Sequence, residues 1–183
     1  TALAVMTLSP AAPAGATPPN VNLIERGDFE VPIDTGLARL YPAGSHIGPW
    51  TVSGATVGVG LPFAGIVEGI HGRNLEFLSL KDPTGSISVP MGTVCQRVAL
   101  DPAASYRLRF YSASVTADAT LIVTWQGQTV GTFDMTGSIG DTNWQLQQIS
   151  LGRAGATSGE VCFTGEGLGF PLVDAVNLHA TTA

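Results

Sequence analysis

The chain is better supplied with side chains for non-covalent recognition than for covalent chemistry. Tyr41, Tyr111 and Trp125 offer flat faces of the kind that pack on the C–H surfaces of sugar rings. Glu76, Arg107, Arg109 and Gln126 offer planar carboxylate, guanidinium and amide groups that bond paired hydroxyls. For each of these residues the alternative role is an ordinary solvated strand face. Aromatic residues make up only 7% of the chain, which favours a cleft for a single glycan chain or small sugar over a broad platform. Enzymatic groups are harder to assemble. His46, His71 and His179 are scattered, with none at a zinc-ligand spacing such as H-E-x-x-H. The sequence has no G-x-S-x-G elbow, phosphate-binding loop or strand-linked dinucleotide fingerprint. Glu25, Glu30, Glu68, Glu76 and Asp82 are the carboxylates from which a glycosidase pair would be drawn. The expectation is a non-catalytic protein, with a glycan-active enzyme as the alternative.

The elements that hold these groups read as strands. With 183 residues the chain is sized for one domain, and 23 Gly and 12 Pro would interrupt long helices. Apolar residues are 44% and charged residues 12%, a globular balance rather than a disordered one. Strand-like runs span Asn22 to Glu30, Trp50 to Val59, Leu75 to Leu80 and Gly85 to Leu100, the last as two strands meeting around Pro90 to Gly92. Further runs span Ser105 to Ser114, Thr120 to Trp125, Thr129 to Phe133, Trp144 to Leu151, Gly159 to Thr164 and Leu172 to Ala180. Short strands at even spacing predict an all-β jelly-roll sandwich of two antiparallel sheets. Period-2 alternation sends Tyr106, Leu108 and Phe110 to one face and Arg107, Arg109 and Tyr111 to the other. Around Trp125 both alternating sets are partly apolar, so its facing stays open.

Thr1 to Leu8 is apolar and runs into a Pro/Ala-rich leader, with small-x-small sites ending at Ala14 or Ala16. Residues 1–20 are expected to be a signal-peptide remnant and leader, and 21–183 the single domain. The alternative is that residues 1–8 form an ordered arm pairing with a neighbour, which would make the chain a structural subunit of an extracellular assembly. Eight residues are too few to span a bilayer as a helix. In an exported protein Cys95 and Cys162 are expected to form one disulfide, worth on the order of 4 kcal/mol by loop-closure entropy, with two buried free thiols as the alternative. A net charge of -6 argues against nucleic-acid partners.

In chain order, Asn22-Leu23-Ile24, Gly27-Asp28-Phe29-Glu30, Gly48-Pro49-Trp50-Thr51-Val52 and Gly72-Arg73-Asn74-Leu75-Glu76-Phe77 are followed by Gly85-Ser86-Ile87-Ser88 before Gln96. Ser105 to Phe110, Trp144 and Leu172-Val173-Asp174-Ala175-Val176 complete the series. This series resembles the extracellular family called domain of unknown function 642 and the related carbohydrate-binding modules with a galactose-binding-like jelly roll. The resemblance spans roughly Val21 to Leu178. It implies secretion, affinity for cell-wall or extracellular polysaccharide without hydrolysis, and a structural Ca²⁺. Carried over residue by residue, the implied ligands are the Asp28 main-chain carbonyl, Glu30, a carbonyl near Asn74, and Asp174. Where some relatives place a further carboxylate this chain has His71, with Glu68 close by. Trp50 and Trp144 fall on motif positions and are expected to serve in packing. Arg26-Gly27-Asp28 spells an adhesion tripeptide but belongs to the opening motif.

Overall fold

A computed structural model describes residues 21–30, 38–60, 74–77, 91–115, 119–137, 143–167 and 169–181. The leader and arm at 1–20, the run 85–90, and Glu68, His71 and Asp82 lie outside the described residues. The alternating runs rich in β-branched and aromatic residues form twelve strands. These are β1 (Ala38–Tyr41), β2 (His46–Ile47), β3 (Trp50–Ser53), β4 (Val57–Gly60), β5 (Asn74–Phe77) and β6 (Thr93–Ala99). They continue with β7 (Ser105–Ser114), β8 (Ala119–Trp125), β9 (Gln128–Met135), β10 (Gln145–Arg153), β11 (Ser158–Gly167) and β12 (Pro171–Thr181). Sheet I has the order β1-β4-β5-β12-β7-β10 and sheet II the order β2-β3-β6-β11-β8-β9, with antiparallel pairing throughout. The chain is an all-β jelly-roll sandwich.

The core lies between the sheets. From β7, Tyr106, Leu108 and Phe110 point inward, and from β8, Leu121, Val123 and Trp125 do the same. A file of rings runs through the middle: Phe29 to Trp50 at 5.4 Å, Trp50 to Phe163 at 6.1 Å, Phe163 to Phe110 at 5.1 Å, and Phe110 to Phe133 at 5.6 Å. Burying each ring contributes about 1.5–3 kcal/mol, so this file is a large share of what holds the sheets together. Trp50 is fully buried, and Trp144 packs on a small cluster of Ala113, Val115 and Leu172, as their motif positions implied.

Cys95 and Cys162 stand opposite each other on β6 and β11 and form a disulfide across a sequence separation of 67. Their neighbours Val94, Gln96, Val161 and Phe163 are buried, so the bridge sits on the outward face of sheet II.

Two strand expectations are corrected. Trp50 to Val59 is not one strand: β3 pairs in sheet II and β4 in sheet I, with Gly54 at φ 73° turning the chain between them. Asn22 to Glu30 forms turns rather than a strand, because side chains take over its backbone pairing. Asn22 Oδ1 accepts from the amides of Ile24 (3.0 Å) and Leu178 (2.9 Å), and Leu23 N donates to Leu178 O at 2.8 Å. On the other side, the buried Gln96 amide accepts from Glu25 N (2.8 Å) and donates to Glu25 O (2.9 Å). Trp50 Nε1 donates to Arg26 O at 3.2 Å. The opening segment is thus clamped to β12 of sheet I and to β3 and β6 of sheet II.

Candidate ligand-binding face

Strand β7 runs between β12 and β10, and its register aligns their outward side chains in rows. Tyr111 faces Leu146 on β10 and Asp174 on β12. Arg109 faces Gln148 and Asn177, and Arg107 faces Ser150 and His179. One row further, Ser105 lies between Arg153 and Thr181. Arg107, Arg109 and Arg153 are exposed and Tyr111 half-buried. Arg109, Tyr111, Leu146, Ala175, Asn177 and His179 enclose a shallow depression of about 200 Å³. Its floor is shaped by a bulge in β12 between Asp174 and Asn177, where Ala175 adopts φ 52°. Asn177 Nδ2 is held by Ala175 O at 2.6 Å. His179 Nδ1 is buried without a hydrogen-bond partner. A phenol ring, a guanidinium, an amide and an imidazole thus converge on one concave patch, a set able to stack on a ring and bond its hydroxyls.

Of the side chains proposed from sequence, Arg107, Arg109 and Tyr111 are brought together here. The others are not. Trp125 is 5% exposed, and its ring packs on Tyr106 at 6.3 Å in the core, so its expected stacking role is corrected to a structural one. The alternation through Leu121 and Val123 carries it inward. Tyr41 is 7% exposed with the Arg39 guanidinium 5.2 Å above its ring, which likewise removes it as an open stacking face. Gln126 is exposed in the turn between β8 and β9, at φ 50°, and reaches Ala154 O at 3.3 Å, away from β7's outward face. Glu76 lies on β5, and its side chain falls outside the description.

A second polar recess was not anticipated. Between the edge strands β9 and β10, Thr132, Asp134, Asn143, Gln145 and Gln147 line a cleft of about 310 Å³. Two of its groups are already engaged, since Gln147 Nε2 donates to Ser112 Oγ at 3.2 Å and Asp134 accepts from Thr120 Oγ1 at 2.9 Å. The signal available in sequence was Gln145-x-Gln147, two amides at period 2 in a strand whose remaining inward positions are apolar.

The implied calcium ligands fall on three segments, the opening turn, β5 and β12, and the first touches the last. Val176 N donates to Gly27 O at 2.9 Å, and a methyl group at Gly27 would collide with the Val176 carbonyl. Arg26 and Phe29 at φ 51° and Ala175 at φ 52° flank this contact, three non-glycine residues in the left-handed region. Asp174 is fully buried, and the β5–β12 register, continued by one residue, sets Asn74 opposite it. Asn74 is also fully buried, with neither side-chain Oδ1 nor Nδ2 hydrogen-bonded. An orphaned amide oxygen beside a buried carboxylate is chemistry that fits a hard cation. Asp28 and Glu30 are exposed, and the Asp28 carboxylate accepts from Glu30 N at 3.3 Å within the turn. Among the described residues the compact group of metal-type side chains is Cys95, Glu160 and Cys162, whose sulfurs are spent in the disulfide.

No protein-family model matches the chain, and no curated protein matches it in sequence. Solved structures do share its fold. The carbohydrate-binding module TmCBM61 in complex with β-1,4-galactotriose is 19% identical, with a TM-score of 0.57 over 88% of this chain and 100% of that one. A Stig cyclase from Fischerella sp. TAU is 11% identical, with a TM-score of 0.59 over 88% of this chain and 98% of that one. The K1 cleaved adhesin domain of Lys-gingipain from Porphyromonas gingivalis W83 is 14% identical, with a TM-score of 0.54 over 80% of this chain and all of that one. At these identities the likeness is one of architecture. The sandwich implied by the resemblance to domain of unknown function 642 is present, and the family itself stays an expectation.

Proposed function

We propose that the chain is a secreted, non-catalytic module that binds polysaccharide on the outward face of sheet I. The observation that carries this reading is the convergence of Tyr111, Arg109, Asn177 and His179 on one depression, with Arg107 in the adjoining row. Tyr111 supplies the stacking ring, and Arg109 and Asn177 supply paired donors and an acceptor. Arg109 binds rather than transfers protons, since a guanidinium stays protonated across the ordinary pH range. A galactotriose complex among proteins of this fold supports the ligand class. The cyclases of the same architecture show why the residues, and not the fold, carry the argument. The disulfide is compatible with an oxidising, extracellular setting. Pull-down on a panel of insoluble polysaccharides tests the reading. Tyr111→Ala is expected to lose at least about tenfold in affinity, roughly 1.4 kcal/mol, while the fold is retained. Release of soluble fragments from the bound polymer would overturn the non-catalytic part.

The same reading includes a structural Ca²⁺ held by Asp174, Asn74, Glu30 and the Asp28 carbonyl. Such an ion would tie the opening turn to the bulge of β12. Chelation with EDTA is expected to lower the melting temperature by about 5–10 °C, the range for a ligand present well above its Kd. An unchanged melting curve would remove the ion.

A further inference from the structure

The charge on this face is segregated. The chain has 14 acidic residues against 8 lysines and arginines, yet Arg107, Arg109 and Arg153 all stand on the outward side of β7 and β10. None of the three is in a salt bridge with a described residue, although each is exposed and long enough to reach several neighbours. Facing Arg107 is His179, and facing Arg109 is Asn177, so the rows contain no carboxylate between Ser105 and Arg109. The acid nearest in register is Asp174, opposite Tyr111, and it is fully buried. Arginines along one strand alternate at about 6.8 Å per two residues, which aligns guanidinium forks in a line. Unpaired forks in a line, with Arg109 at the depression, suit planar oxyanions in series, because each binds a carboxylate bidentately.

Resting on the carbohydrate reading above, we infer that the ligand is an anionic glycan, a polyuronate whose ring carboxylates dock on Arg107 and Arg109 while a ring stacks on Tyr111. A neutral glycan would leave those guanidinium groups bonded to hydroxyls that water serves equally well. A polyuronate replaces water with charge-assisted bonds and is drawn toward this face despite the chain's net charge of -6.

The test titrates the full chain with uronate oligosaccharides and with the same oligosaccharides after reduction of their carboxyl groups to primary alcohols. The expected result is at least about tenfold tighter binding of the charged form at low salt. That advantage should collapse toward unity near 1 M salt, where the Debye length is about 3 Å. Arg107→Gln with Arg109→Gln should abolish it, and Arg107→Lys should keep part of it. Both arginines are exposed, and an unchanged circular dichroism spectrum confirms that the variants fold. Equal binding of charged and reduced oligosaccharides would overturn the anionic assignment and leave the carbohydrate reading standing. Binding of neither, nor of neutral β-1,4-galactan, would overturn both. A charged preference that survives the double substitution would move the anion site elsewhere and overturn the inference as well.

Discussion

The outward faces of sheets I and II arise from the same alternation of side chains, but what those side chains do differs. On sheet II, Thr51, Cys95, Cys162, Thr124 and Thr129 form one cross-strand row, and Ser53, Thr93, Thr164, Ile122 and Thr132 the next. These are mostly short groups, and several find partners within the sheet. Thr93 and Thr164 share a hydrogen bond at 2.9 Å, Arg97 reaches Ser158 at 3.2 Å, and the cysteines are joined outright. On sheet I the outward rows carry long groups, Arg107, Arg109 and Arg153, with no such partner among the described residues, and one aromatic ring. A side chain bonded within its own sheet adds stability. One held out unpaired is open to a ligand. The contrast is the basis for proposing that one face adds stability and the other recognises a ligand.

That division can be broken in several ways. The largest effect is expected from Trp125→Ala, which empties a core site beside Tyr106 and should cost about 3–5 kcal/mol in urea unfolding. If it instead abolished glycan binding with stability intact, the ring would belong to a site and the inward assignment would be wrong. Next comes the disulfide: replacing Cys95 and Cys162 together by Ala should cost about 2–4 kcal/mol while leaving glycan affinity unchanged. Loss of affinity in the still-folded double variant would mean that the faces are coupled. A smaller cost, about 1–3 kcal/mol, is expected for Gln96→Leu, which removes both bonds to the Glu25 backbone. Thr124→Val sharpens the comparison from the quiet end. It should shift stability by less than about 0.5 kcal/mol and binding not at all.

Much of this was legible in sequence where one periodicity ruled. The segment Ser105 to Ser114 coincides with β7, and the alternation of Tyr106, Leu108 and Phe110 against Arg107, Arg109 and Tyr111 is the alternation in the structure. The cysteine pairing was legible because both cysteines sit in strand-like runs. Legibility failed where tertiary partners decide. Trp125 was ambiguous because Ile122 and Thr124 on its other face are themselves half-buried beside the threonine rows. Asn22 to Glu30 has strand composition, but Asn22, Gln96 and Trp50 bond its backbone before another strand does. The short strands β1 and β2 went unseen, since four and two residues carry too little pattern to register. The depression on sheet I depended on the β12 bulge at Ala175, which no spacing rule announces.

The clamp on the opening segment also governs the order of events during synthesis. Asn22 closes on Leu178 across 156 positions, and Gln96 on Glu25 across 71. The sandwich therefore cannot be completed on the ribosome until β12 has emerged. Before then, β5 and β7 lack the strand that pairs between them, and the opening segment lacks its partners on Leu178. Contacts of such long range place the chain among slow-folding β proteins, with refolding in the millisecond-to-second range or beyond. Because β12 pairs with both β5 and β7 and bonds the opening segment, the strand that closes sheet I is also its lock.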